Sequence, residues 1–211
     1  MFNLIKESWT NRSATGESDL LFLKQGEEVK DTTLKLSLNG ATLSSLSANG
    51  SVLEAGKDYE INDNQLTIKA STLNRMLVPG RLGVNSVLVA KFNKGVDWKW
   101  NVIVSSTPTL GKEAATTASF EIPTHFAGDR LATMEAVYET GGNAGPQDWT
   151  SYKEFETTFN PDYKSGKIKL QPALFNDMKD GKVQLKFHFW SGEVINYTIE
   201  KSGSNIVGSA S

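Results

Sequence analysis

Lys167-Ile168-Lys169-Leu170, then Phe175-Asn176-Asp177-Met178, then Val183-Gln184-Leu185-Lys186-Phe187, decide the fold, because the chain has already written them once. The earlier writing runs Gln65-Leu66-Thr67-Ile68-Lys69, Leu73-Asn74-Arg75-Met76 and Leu88-Val89-Ala90-Lys91-Phe92. In both copies a Gly turn follows, at Gly192 in the second, and then a closing segment, Val194 to Ile199 there. Apolar and polar residues alternate with period two, the pattern of half-buried strands. Two similar all-β units therefore lie in tandem. Differences between the copies are candidates for function.

The chain has 211 residues, enough for each copy to bury its own core at roughly 100 residues per unit. A net charge of −2 excludes binding to nucleic acid or to an anionic membrane through a strongly basic surface. With no cysteine, a disulfide framework, a thiolate metal site and a cysteine nucleophile are all excluded. No run of about 18 apolar residues occurs, and the N-terminus lacks a basic-then-apolar leader. We expect a soluble monomer that carries no targeting segment in this stretch and needs no cofactor or metal.

Outward from the repeat, Phe2, Ile5 and Trp9 fall at helical spacing, with Leu4 beside them. A polar stretch, Asn11 to Gly16, follows, so this helix is either the severed end of an earlier domain or a segment that docks on the first sandwich. From Asp19 short alternating segments are punctuated by Asn39-Gly40, Asn49-Gly50, Ala55-Gly56 and Asn62-Asp63-Asn64. No long helical crossover intervenes, which predicts antiparallel sandwiches of immunoglobulin-like form. The Thr/Ala/Gly-rich stretch from Thr107 to Thr117 shows no pattern and is read as the boundary. The predicted division is 1–17 for the helix and linker, 18–107 and 108–202 for the two sandwiches, and 203–211 for a loose Gly/Ser tail.

Period two also sorts the aromatic residues. Trp98 and Trp100 share a face with Val102 and Val104 and are assigned to the first core. In the second unit Val183, Leu185, Phe187 and Phe189 point inward. That leaves Gln184, Lys186, His188 and Trp190 on the outer face, with Trp190 partly exposed beside Ser191-Gly192. Trp149 follows Gly141-Gly142-Asn143-Ala144-Gly145-Pro146-Gln147-Asp148, a run of turn formers with no apolar partner nearby in sequence. It belongs on a loop, either as a binding platform or folded back as a plug over the sandwich end. Tyr152 extends the same surface.

A flat aromatic ring with Gln147, Asp148 and Lys153 around it suits a sugar, whose C–H face lies on the π-system while its hydroxyls meet polar neighbours. Covering one face of Trp149 removes about 60–80 Å² of apolar area and yields roughly 1.5–2 kcal/mol. One such contact binds weakly, so useful affinity needs further subsites or a tether that raises effective concentration toward the mM range. A protein interface would use the same residue types.

Catalytic patterns are missing. A glycosidase needs two carboxyl groups about 5–5.5 Å or about 6.5–9.5 Å apart. Asp129, Glu135, Glu139, Glu154 and Glu156 are available, but acids on outward strand positions and loops are ordinarily solvated. His125 and His188 are the only histidines, no Gly-x-Ser-x-Gly elbow is present, and metal-ligand spacing is absent.

Leu34-Lys35-Leu36-Ser37-Leu38-Asn39-Gly40, Ala55-Gly56-Lys57-Asp58-Tyr59 and the segment from Leu66 to Met76 resemble the X2 type of carbohydrate-binding module, an immunoglobulin-like sandwich. The second unit is similar to family 46 carbohydrate-binding modules. Ala132 to Tyr138, Gly141 to Pro146, Trp149 to Phe155 and Phe187 to Glu193 carry that likeness. The resemblance implies the C-terminal part of a secreted bacterial family 5 endo-β-1,4-glucanase, with the segment Phe2 to Trp9 as the last helix of its catalytic barrel. It implies a non-catalytic fragment whose partners are that barrel and a β-1,4-linked glucan, mixed-linkage β-glucan or xyloglucan. It further implies that an aromatic loop of the second unit, here Trp149, faces the catalytic cleft while the first unit acts as a spacer. Tyr152, Gln147, Asp148, Trp190 and His188 complete the candidate surface. The alternative is a protein-interaction or cell-wall-anchoring pair without sugar binding of its own.

Overall fold

A computed structural model describes residues 13–147 and 149–211, so the expected helix at Phe2 to Trp9 and the side chain of Asp148 lie outside the described residues. The chain divides into two compact units, 1–105 and 106–211.

The first unit packs two sheets face to face. One contains β1 (Thr15–Gly16), β3 (Thr32–Ser37), β7 (Gln65–Ile68) and β6 (Tyr59–Asn62) in that order. The other contains β2 (Leu20–Lys24), β9 (Trp98–Ser105), β8 (Gly83–Phe92), β4 (Leu43–Ala48) and β5 (Ser51–Val52). A short helix α1 (Ala70–Met76) follows β7. The Asn-Gly pairs make the turns that the sequence suggests, with positive φ at Asn39, Gly40, Asn49 and Gly50. Pairing is antiparallel except at one edge, where β2 runs parallel to β9.

Alternation places Leu36, Leu46, Leu66, Ile68, Leu88, Trp100 and Val102 in the core, with Leu73 of α1 closing one end. Trp100 is buried; Trp98 is half-buried against the same cluster and donates its Nε1–H to Ser18 O at 3.3 Å. Asp58 is also buried. It accepts from Glu54 N and Thr72 Oγ1, each at 2.9 Å, and from Arg75, and these partners hold its carboxyl down to about 2.

The second unit repeats the plan. One sheet is β10 (Thr109–Leu110), β12 (Phe120–His125), β15 (Lys167–Leu170) and β14 (Phe159–Asp162). The other is β11 (Glu113–Thr116), β18 (Asn205–Ala210), β17 (Val194–Ser202), β16 (Gly181–Phe189) and β13 (Leu131–Tyr138). A single 3₁₀ turn, Pro172–Phe175, replaces α1. Phe120, Met134, Phe159, Leu174, Leu185, Phe187, Tyr197 and Ile206 fill the core.

Two expectations need correction. The stretch from Thr107 to Thr117 holds strands β10 and β11 of the second unit, and the division falls just before it. Its small residues suit short strands whose pattern is too brief to read. The tail from 203 is not loose: Asn205–Ala210 forms β18, paired with β11 on one side and β17 on the other. Gly208 belongs there because a Cβ would come within 2.5 Å of the Tyr197 ring, so this inward-facing position of the strand has no room for a side chain.

The repeat extends to backbone detail. In the first copy Asp58 N donates to Glu54 O and Gly56 N to Tyr59 O; in the second, Thr158 N donates to Glu154 O and Glu156 N to Phe159 O. Gly56 has φ +80°, and Glu156 is held at φ +66°. A glutamate there carries a left-handed strain of about 1–2 kcal/mol that glycine lacks, against the larger entropy cost of ordering glycine. Glu156→Gly is therefore expected to raise the stability of the second unit by about 0.5–1 kcal/mol, measured as a higher denaturant midpoint at unchanged slope.

Candidate functional site

Aligning the copies on their strands isolates an insertion. Ala48 pairs with Leu88 and Tyr138 with Val183, the first residues of the matching β8 and β16 segments. Five residues separate Ala48 from Glu54, whereas fifteen separate Tyr138 from Glu154. The backbone bond from Leu53 N to Leu46 O in the first copy has its counterpart from Ala144 N to Ala136 O in the second. In the first copy Glu54 follows Leu53 directly; in the second, Gly145 to Lys153 intervene before Glu154. Trp149 and Tyr152 both lie in these nine extra residues.

The insertion is a compact loop with a closed neck. Its two ends pair with neighbouring positions on the free edge of β13: Ala144 N donates to Ala136 O at 3.1 Å, and Ala136 N donates to Ser151 O at 2.9 Å. Lys153 N then donates to Met134 O at 2.9 Å. Lys153 was expected to be a polar neighbour of the sugar. It is instead only 4% exposed, and its ammonium donates inward to Asn143 Oδ1 at 2.5 Å and Pro146 O at 2.9 Å. Burial pushes its pKa down, and the Asn143 amide and Pro146 carbonyl that accept from it carry no charge to offset this.

Gly145, at φ +78°, lies so close to the core that a Cβ would be 2.4 Å from Leu174 O. From this base the loop exposes Trp149 to 81%, which excludes the plug reading. Gln147, at φ +66°, is half-buried and accepts from Thr150 N at 3.3 Å, so part of its role is to turn the chain.

Next to the loop, the outer face of the five-stranded sheet carries a polar cluster. Register sets Glu135 of β13 beside Lys186 of β16, and Tyr152 bridges to Glu135 from the other side. Glu135 accepts from Ser151 Oγ at 2.8 Å and pairs with His188 Nε2 at 2.7 Å. Burial raises its pKa, but the hydrogen bonds from Ser151 and His188 outweigh it and leave the carboxyl below its usual value. The Tyr152 ring, 49% exposed, lies 5.9 Å from the His188 ring. His188 is thus tied to Glu135 and Tyr152 and is not a freely solvated surface residue.

Trp190, 59% exposed, stands where β16 turns into β17. Its backbone N donates to Arg130 O at 2.9 Å. Buried Asp129 accepts from Ser191 Oγ and from Ser191 N, and also from Arg130 N at 2.7 Å. Asp129, expected to be solvated, is therefore the internal anchor of this turn. The structure thus places Tyr152 and His188 together, Trp149 on the same insertion as Tyr152, and Trp190 two residues beyond His188, in the turn that follows β16. Among the described residues no cluster of His, Cys, Asp or Glu could hold a metal ion.

Sequence reasoning passed over Phe155, which is 45% exposed and meets Phe159 edge-on at 5.5 Å. The signal was available, since the equivalent residue in the first copy is Ala55. The roles of Asp129 and Lys153 had no such signal.

Flat aromatic rings set beside fixed polar groups are equipment for binding. Comparison with known proteins agrees. Residues 16–102 match the family described as carbohydrate-binding domain X2, and residues 106–209 match carbohydrate-binding domain family 46. Endoglucanase B of Paenibacillus lautus is 60% identical over the whole chain, which spans 37% of that protein's length. The full-length tri-modular endo-β-1,4-glucanase B of Bacillus halodurans is 47% identical, with a TM-score of 0.94 over 100% of this chain and 39% of that one. The isolated family 46 carbohydrate-binding module of that enzyme is 53% identical over 50% of this chain and all of its own, with a TM-score of 0.49. The chain is a tandem of an X2 carbohydrate-binding domain and a family 46 carbohydrate-binding domain.

Proposed function

We propose that the second unit binds β-1,4-linked glucans, mixed-linkage β-glucan or xyloglucan among them, on the aromatic surface led by Trp149, as part of a secreted, monomeric family 5 endo-β-1,4-glucanase. The first unit serves as the spacer, and the loop of the second unit completes one wall of the catalytic domain's substrate cleft. The observation that carries this reading is the 81% exposure of an indole on a loop whose neck is closed by its own hydrogen bonds. Preorganisation matters here, because an ordered loop does not pay ordering entropy when the sugar arrives. Relatives that are tri-modular endo-β-1,4-glucanases support the assignment of substrate class.

The test is affinity electrophoresis in gels containing xyloglucan or mixed-linkage β-glucan. Wild type is expected to be retarded, and Trp149→Ala to lose about 10–30-fold in affinity, the equivalent of roughly 1.5–2 kcal/mol. Equal retardation of both proteins would remove Trp149 from the site. No retardation of either would place binding in the assembled enzyme alone.

A further inference from the structure

We infer that Lys153 is the positioning residue of the sugar-binding surface: it touches no ligand and acts by clamping the neck of the loop that presents Trp149. The inference rests on the reading of Trp149 as the platform. Three observations carry it.

The lysine lies at the end of the inserted segment, so the sandwich of the first copy forms with no equivalent insertion. Its ammonium reaches back to both sides of the loop's entrance, Asn143 Oδ1 and Pro146 O, at 2.5 and 2.9 Å. It is also buried to 96% by the fold (4% exposed) among neutral acceptors, a costly place for a cation that the sheet itself does not need. Asn143 completes the arrangement by donating its Nδ2–H to Gly145 O at 3.1 Å, so one amide holds both the clamp and the residue seated against Leu174.

Without the ammonium, the chain from Gly145 to Thr150 keeps its two strand-edge attachments but loses the tie between its entry and exit. Trp149 would then sample many orientations, and the sugar would have to select one.

The experiment uses the full chain labelled with 5-fluorotryptophan, in which Trp149→Phe assigns the Trp149 resonance among the five tryptophans. Lys153→Met keeps the length and apolar stem of the side chain. The expected result is a cooperative melting transition for the second unit, a Trp149 fluorine signal that narrows and moves toward the random-coil position, and about a 10-fold loss of β-glucan affinity. The other tryptophan signals should stay in place.

An unchanged Trp149 signal with unchanged affinity would overturn the inference. If Lys153→Met fails to fold, Asn143→Ala removes one acceptor of the clamp and must give the same change in the Trp149 signal. Should Trp149→Ala bind glucan as well as wild type, the platform reading fails by itself; the fluorine signal still decides whether Lys153 orders the loop.

Discussion

A chain cut after Ser202 is expected to melt in one transition, that of its first unit, with the second unit unfolded. The cut removes β18, which is an interior strand of the five-stranded sheet. Strand β11 pairs with β18 along Glu113 to Thr116 and has no other neighbour in that sheet, so two strands of five are lost together. Ile206 leaves the core, and the rings of Tyr197 and Phe120, which lie against Gly208, become exposed. Losing one buried aliphatic side chain costs about 2–5 kcal/mol. Exposing each large ring adds about 1.5–3 kcal/mol. The total is on the order of 10 kcal/mol, comparable to the whole stability of a small domain, about 5–15 kcal/mol. Scanning calorimetry of the truncated chain beside the intact one makes the comparison. Two cooperative transitions in the truncated protein would show that β18 is dispensable.

Gly145→Val is expected to abolish glucan binding while the second unit still folds. Two penalties coincide at this residue. A β-branched side chain at φ +78° pays a left-handed strain of at least about 1–2 kcal/mol. Its Cβ would also fall 2.4 Å from the backbone oxygen of Leu174, which belongs to the 3₁₀ turn and has no flexible end to yield. The loop must leave its seat, carrying Pro146 away from the Lys153 ammonium. The buried lysine then has one acceptor fewer. Together these effects cost the second unit roughly 2–4 kcal/mol. Isothermal calorimetry with a soluble β-glucan and a denaturant titration separate the two consequences. Binding that survives with native affinity would mean that the seat of Gly145 has no bearing on the platform.

The sandwich architecture was legible because it rests on period-two alternation. Val183, Leu185, Phe187 and Phe189 are all buried in β16, as their spacing requires. The Asn-Gly turns were equally readable, since few residues other than glycine and asparagine enter the left-handed region cheaply. What alternation could not reveal was β18, whose residues Asn205 to Ala210 are small or polar apart from Ile206 and Val207. Its place inside the sheet is imposed by its neighbours β11 and β17, with Gly208 making room for Tyr197.

The site divides along the same line. A run of turn formers with nothing apolar to pair it placed Trp149 on a loop, while the choice between platform and plug was made only by the fold, which leaves the ring 81% exposed. The inward ammonium of Lys153 and the carboxylate of Asp129 beneath Ser191 depend on contacts across the fold, and a charged residue on a loop gives no hint that it will be buried. The parallel pairing of β2 with β9 was hidden for a related reason: strand direction is a property of the assembled sheet, and periodicity does not carry it.

Ala144 and Ser151 are both attached to one residue, Ala136, along the same edge of β13. A stem of that kind, with Gly145 in its seat and Pro146 kept as an acceptor of Lys153, lets the four residues 147–150 be exchanged for another sequence without disturbing a single rung of the sheet. The scaffold can therefore serve as a socket for interchangeable recognition segments, much as antibody frameworks carry variable segments, with the randomised stretch confined to 147–150 so that Gly145 and Pro146 keep their places.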